Sequence, residues 1–447
     1  MSFMKNQLPK ISKPPTSGEA KKIISRDVEV MSRSYRRAFP LVIKSIQGPL
    51  VEDINGNVYI DFTAGFGALP LGGSHPKIIE ALRDQVNELP SYSLRAAYFE
   101  NALNLVEEIS KIVPIRRNMR AILTNSGAEA VDIAMRALRW HSGKNVVVSF
   151  IGAYHGSTIA TLGVSSDTRA RRISTRVNDA IYAPNPYCFR CLLGLDPENC
   201  GLKCLDYLEE LAEKLAPSDV AAVLIEPIQV EAGVIVPPEK YFEKLTRILK
   251  KIKALFIADE VFTAPARTGR WFAIDHWNVN ADAVCLGAQL SSGLPLGILL
   301  AREDLLDLEP GMHEPDIAGL QLSITAALAT LQVIKEEGLV ERSERLGRIL
   351  QKRLRDLVEE SELSWRIRGR GMLVGIEVVG EDEALDEMLA RKIVDECFRI
   401  GLLTRRKGPT VILTPPLNIE EEVLERGLQL FEEKVLELSR RSRASSS

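Results

Sequence analysis

The sequence predicts an α/β protein: a large domain with a mostly parallel sheet covered by helices, joined to a smaller α+β domain. Three observations predict it. Short apolar runs alternate with helical patterns through the middle of the chain, polar site candidates cluster at the ends of those runs, and the pattern changes character near residue 334. A strand buried on both faces loses the apolar–polar alternation of a one-sided sheet, so it reads as an unbroken run of Val, Ile, Leu and Ala.

In chain order, residues 1–30 are polar, with Lys13-Pro14-Pro15-Thr16-Ser17-Gly18-Glu19 as the mark of a flexible entry arm. Residues 48–57 carry a hairpin signal with Asn55-Gly56 at its tip. Buried strands are expected at Asn145–Phe150, Val220–Glu226, Ala254–Asp259, Ala283–Gly287 and Gly297–Ala301. Helical patterns at Ala128–His141, Leu205–Lys214 and Lys240–Lys251 lie between them, the alternation of an open, doubly covered sheet. A long amphipathic helix over roughly 321–360 leads into Trp365–Glu377 and a last helix near 420–438, and Arg440–Ser447 reads as a frayed tail. The expected division is 1–75 for an arm and part of the small domain, 76–333 for the large domain and 334–447 for the rest of the small one.

Composition narrows the function classes. A chain of 447 residues, 45% apolar and 26% charged, can bury a substantial core. A net charge of −3 gives no reason to expect nucleic acid or an anionic membrane as partner. No uncharged apolar run approaches the roughly 18 residues of a membrane span, and Met1-Ser2-Phe3-Met4-Lys5 has no apolar signal core. The expectation is a cytoplasmic protein. Four of six cysteines, Cys188, Cys191, Cys200 and Cys204, crowd into one loop. Their C-x2-C and C-x3-C spacing could serve a structural zinc; the plainer alternative is a loop holding unpaired thiols.

Open sheets bind ligands outside the carboxyl ends of their strands, and the polar motifs fall there. Ser126-Gly127-Ala128-Glu129 stands between a strand and a helix, where free N–H groups and the helix dipole attract phosphate. Gly152-Ala153-Tyr154-His155-Gly156 follows the next strand. Asp259 closes a buried apolar strand, and a buried charge needs a partner. With Arg267-Thr268-Gly269-Arg270 and Leu286-Gly287-Ala288-Gln289-Leu290-Ser291-Ser292-Gly293-Leu294-Pro295-Leu296-Gly297, these segments resemble the signature of class III aminotransferases, enzymes that work through pyridoxal 5'-phosphate (PLP). The resemblance runs from Asp53-Ile54-Asn55-Gly56-Asn57 to Thr414-Pro415-Pro416-Leu417 and implies fold type I of the PLP-dependent transferases.

It also implies roles. Ser126, Gly127 and Ala128 would cradle the phosphate, Tyr154 and Val261 would cover the two ring faces, His155 would stand beside the ring, and Asp259 would pair with the pyridine nitrogen. Glu231, within Glu226-Pro227-Ile228-Gln229-Val230-Glu231, and Arg368, within Arg366-Ile367-Arg368-Gly369-Arg370, match substrate-side residues, Arg368 as a carboxylate clamp. The implied ligands are an amino acid and a 2-oxo acid, and the implied assembly is a two-fold dimer or larger.

Three positions depart from the family pattern. Where the family has the lysine that holds PLP as a Schiff base, this chain has Ala288, and no lysine occurs between Lys253 and Lys335. Where a glutamine would touch the phenolic oxygen stands Phe262, and where a threonine from the neighbouring subunit would bind the phosphate stands Asp316. A lysine-to-alanine trap would change position 288 alone. Three changes together favour a degenerate homologue without turnover: a partner of an active paralogue, or a sensor of amino acids or PLP. The trapped enzyme remains the alternative.

Overall fold

The computed structural model describes residues 8–116, 118–166, 180–361, 364–380 and 382–444. They form two compact units, one combining the chain up to Ile79 with the chain from Glu341 onward, the other spanning Glu80–Val340.

The larger unit holds a seven-stranded sheet: β1 (Met119–Thr124), β2 (Val146–Phe150), β3 (Ala180–Ala183), β4 (Val220–Ile225), β5 (Leu255–Asp259), β6 (Ala283–Leu286) and β7 (Gly297–Arg302). Its order is β1-β7-β6-β5-β4-β2-β3. The pairs β6–β5, β5–β4, β4–β2 and β2–β3 are parallel. The run Gly297–Ala301, read from sequence as a parallel strand, is antiparallel to both its neighbours. The cause is the length of its connection. Only residues 287–296 separate β6 from β7, too few for the dozen or more a helical crossover takes. Since β7 opposes both β1 and β6, those two run the same way, and the carboxyl ends of β1, β2, β4, β5 and β6 share one edge.

Successive residues of each strand enter different cores. Val148, Phe150, Val223, Ile225, Phe256, Ala258 and Val284 join one cluster, while Val147, Ala222, Leu224, Ile257, Ala283 and Cys285 join the other. At roughly 1.5–3 kcal/mol for each fully buried large apolar side chain, both faces need cover, and helices supply it. Of those, α1 is Glu100–Ser110, α2 Gly127–Ser142, α3 Ile159–Val164, α4 Lys203–Leu215, α5 Tyr241–Ile252 and α6 Gln321–Glu336. Helix α5 shows how: Tyr241, Phe242, Leu245, Ile248 and Leu249 are buried at helical spacing, and the chain leaves through Lys253 in a left-handed turn.

The expected helix over 321–360 is two, α6 and Leu339–Ser361, interrupted at Gly338, whose φ is 58°. In the smaller unit, strands Ile43–Gln47, Leu50–Asp53 and Val58–Asp61 with Leu402–Leu403 make one sheet, and Trp365–Arg370, Leu373–Val378, Thr410–Leu413 and Arg405–Lys407 another. Asp53 builds the hairpin tip: its Oδ1 accepts the N–H groups of Asn55 and Asn57, each at 2.9 Å. The entry arm is more ordered than its composition suggests, because Lys10 bridges Val58 and a helix spans Glu19–Val30. The last helix, Glu421–Ala444, also runs through most of the expected tail.

Candidate active site

The site grows from five strand ends of the larger unit. After β1, Ser126 leaves the strand with extended backbone and caps α2, its Oγ accepting the Glu129 N–H at 3.2 Å. Glu129 reaches back to the N–H of Asn125 at 2.7 Å. Gly127 and Ala128 therefore open the helix, where backbone donors have no intrahelical acceptor. A Cβ on Gly127 would come within 2.6 Å of the Val261 methyls, and one on Gly287 within 2.7 Å of Val261 Cγ1. Val261 thus fills the space between the phosphate-type helix start and the loop after β6.

The segment after β2 closes on the same place. A Cβ on Gly156 would lie 2.5 Å from that of Ala128, which seats this loop on the start of α2. His155 is buried, its N–H held by Ser165 Oγ at 2.9 Å and its Nδ1 2.6 Å from Asp259 Oδ2. The other Asp259 oxygen accepts the Val261 N–H at 3.1 Å. Asp259, 5% exposed, is therefore an oriented carboxylate at the end of β5. The Tyr154 N–H donates to Glu226 Oε2 at 3.1 Å, so the start of the β4 loop joins the cluster. Burial, then the charges of Asp259 and Glu231, push the Glu226 carboxyl well above the usual carboxylate range.

Ala288 lies on the turn that leaves β6. Its carbonyl accepts the N–H of Ser291 at 3.2 Å and of Gly293 at 2.9 Å. The next residue, Gln289, is buried and donates Nε2 to the carbonyls of Phe262 at 2.6 Å and Val261 at 3.3 Å. This side-chain brace ties the turn bearing Ala288 to the segment carrying Val261 and Phe262, whose half-buried ring has no donor or acceptor. Sequence reading missed Glu226 and Gln289; the signal for Glu226 was its place directly after a fully apolar strand, the same signal that singled out Asp259.

Two expected site residues have partners of their own. The Asp316 side chain is 95% exposed and pairs with Arg95 at 3.4 Å. Arg368, in the smaller unit, forms an ion pair with the buried Glu377 and a 3.3 Å bond to Thr410 Oγ1. Glu377 thus answers the charge that the clamp reading reserved for a substrate. Among the described residues no group of three or more His, Cys, Asp or Glu side chains is placed to hold a metal ion. Cys188, Cys191, Cys200 and Cys204 are half-buried free thiols, and burial, with Cys188 beside it, lifts Cys204 to about 11.

Together the residues fit a phosphorylated pyridine: amides at a helix start, a methyl-bearing wall at Val261, and a buried, oriented acid for a ring nitrogen. They do not fit covalent attachment, which requires an amine at position 288. Fold and site define a PLP-dependent transferase of fold type I, with a mostly parallel large sheet and separate smaller sheets. The chain belongs to the aminotransferase class-III family, which matches residues 30–435. It is 34% identical over 441 residues to an alanine/serine racemase of Pyrococcus horikoshii, covering 96% of this chain and 93% of that one. It is 32% identical over 395 residues to a probable 4-aminobutyrate aminotransferase of Bacillus subtilis, covering 86% and 91%. Among solved structures, the omega transaminase of Pseudomonas jessenii in complex with PMP superposes with a TM-score of 0.87 at 26% identity, covering 95% of this chain and 99% of that one. Family and neighbours imply pyridoxal phosphate as the cofactor.

Proposed function

We propose that this chain binds pyridoxal phosphate without a covalent bond, recognises an amino acid or 2-oxo acid beside it, and does not sustain transamination. The observation that carries the proposal is Ala288 on the turn after β6. When bound, the cofactor supplies an electron sink for bonds at an amino acid's Cα. The chain's own residues hold it there. Amides of Gly127 and Ala128 bind the phosphate, Asp259 keeps a proton at the ring nitrogen under the grip of His155 and Val261, and Tyr154 and Val261 exclude water from the ring faces. Ala288 cannot supply the amine that would hold the aldehyde and then move the Cα proton, so nucleophile and base are lost together at that position. Phe262 and Asp316 support the same reading, as two further positions that depart from the family pattern.

Relatives named as racemases and as aminotransferases both act on amino acids, which supports an amino acid as the recognised ligand. We further propose a cytoplasmic dimer, alone or with a lysine-bearing paralogue. No helix is long and apolar enough to cross a membrane among the described residues.

Ala288→Lys tests the proposal. Wild-type protein should show neither turnover nor the visible absorbance of covalently held cofactor, and the variant should stay feeble. Ordinary turnover from that single change would make Ala288 an isolated lesion in an otherwise complete aminotransferase, the trapped-enzyme alternative.

A further inference from the structure

The pocket contains an acid to which the reading above gives no role, Glu226, the first residue of the segment Glu226–Glu231. Glu226 follows the last residue of β4 and is 5% exposed. Its Oε2 accepts the Tyr154 N–H, whereas its Oε1 is buried and has no hydrogen-bond partner among the described residues. The ionisable neighbours that face it are Asp259 at the end of β5, with His155 bonded behind it, and Glu231 on its own loop. Both oxygens of Asp259 are engaged, by His155 and by Val261. An ionised Glu226 would be a second buried negative charge beside Asp259, with only the backbone amides of Tyr154 and Val230 to offset it, which is costly in a protein interior.

We propose that Glu226 is held as the neutral acid and that its free Oε1–H is a hydrogen-bond donor for an anionic oxygen of the pocket's ligand. A protonated carboxyl carries one donor. Oε2 is already an acceptor for Tyr154, so the proton sits on Oε1, and no described acceptor lies within reach of it. A buried donor without an acceptor is a cost that a ligand oxygen removes. Two oxygens share the required chemistry: the ring oxygen of pyridoxal phosphate and a carboxylate oxygen of the amino or oxo acid. The proposal rests on the cofactor reading given above.

The test has two parts, neither of which measures turnover. In the infrared spectrum, the protein should show a protonated-carboxyl carbonyl band that Glu226→Gln removes; if Glu226→Gln removes no such band, the proposal is overturned. In calorimetric titrations with pyridoxal phosphate, with its 3-deoxy analogue, and with 2-oxoglutarate at saturating pyridoxal phosphate, Glu226→Ala should weaken one interaction roughly tenfold, the worth of one hydrogen bond to a charged oxygen. Glu226→Gln, which keeps a donor, should bind nearly as wild type. Raising the pH should weaken wild-type binding, since ionisation removes the donor, and leave the Gln variant unchanged. A loss confined to pyridoxal phosphate and absent with its analogue assigns the ring oxygen; a loss confined to 2-oxoglutarate assigns the carboxylate. Equal binding by wild type and Glu226→Ala overturns the proposal, as does wild-type binding that strengthens with pH, which would mean an ionised Glu226 meeting a cation. Wild type that binds none of the three ligands overturns the cofactor reading itself, a different result from equal binding by both.

Discussion

Replacing His155 with alanine should destabilise the larger unit through Asp259 rather than through lost packing alone. The Asp259 carboxylate is 5% exposed and has two described hydrogen bonds, 2.6 Å to His155 Nδ1 and 3.1 Å to the Val261 N–H. His155→Ala removes the shorter and leaves Oδ2 buried. Removing one partner of a buried charged group costs roughly 3–5 kcal/mol; the surviving Val261 bond argues for the lower end, about 3 kcal/mol. For a unit of this size that lowers the midpoint of thermal unfolding by about 6–12 °C. The packing share is separated by a double-mutant cycle with Asp259→Asn, measured by urea unfolding followed through tryptophan fluorescence. In the Asn background His155→Ala should cost about 2 kcal/mol less, because no carboxylate is left stranded. If the two substitutions add within about 0.5 kcal/mol, His155 does not hold Asp259, and Asp259's orientation at the cofactor nitrogen loses its support.

Other perturbations test neighbouring claims. Burial lifts the Glu260 carboxyl from 4.5 to about 7, even though it accepts the N–H groups of Ala273 and Ile274. A raised native pKa means that the folded state keeps a proton the unfolded chain releases, so stability should fall by roughly 3 kcal/mol as pH rises from about 4.5 to 7. Glu260→Gln should flatten that slope, and parallel pH–stability profiles would refute the assignment. Gly297→Ala would set a Cβ 2.0 Å from the Ser126 carbonyl oxygen; the forced shift of the strand end should cost about 1–3 kcal/mol and weaken pyridoxal phosphate binding in calorimetry. Arg368→Met removes the ion-pair partner of the buried Glu377 and should lose about 3 kcal/mol, most of it recovered when Glu377→Gln is added. A clamp arginine would instead leave stability intact and abolish amino-acid affinity.

Much of the fold was legible because burial on both faces writes itself into composition. Val146–Phe150 and Val220–Ile225 could be little else; Tyr154 and His155 follow the first within a short loop, and Glu226 follows the second directly. Strand direction was not legible. Gly297–Arg302 is as apolar as its parallel neighbours, and only the ten-residue connection 287–296 decides its sense. The edge strands were harder still: Met119–Thr124 is half-buried along most of its length, with Arg120 exposed and only Thr124 buried, and Ala180–Ala183 is four residues long. In the site, residue identity predicted where Ser126, His155, Asp259 and Ala288 would stand on the strand ends. It did not predict partners. Glu377 for Arg368 and Arg95 for Asp316 are contacts across 9 and 221 positions of sequence that no local pattern encodes.

The distinction between partners and positions bears on what a family signature proves. Gly127, Val261 and Gly287 occupy one another's space so closely that a single added carbon at either glycine meets Val261 within 2.7 Å. Such residues are fixed by packing and would persist whether or not any chemistry occurred. The same holds for Gly156 against Ala128 and Gly297 against Ser126. A signature composed largely of these residues certifies the fold and the shape of the pocket, not turnover. Chemistry leaves a different mark, in groups the fold does not need: an amine at position 288, or a buried oxygen with nothing to bind. Here the amine is missing, yet Glu226 Oε1 and Gln289 Oε1 remain buried without described partners. Unsatisfied polar atoms are costly, and a pocket with no ligand could fill both positions with apolar side chains at less expense. A chain with alanine at position 288 that still carries these orphan oxygens therefore has features of a binding site, which supports the function proposed above.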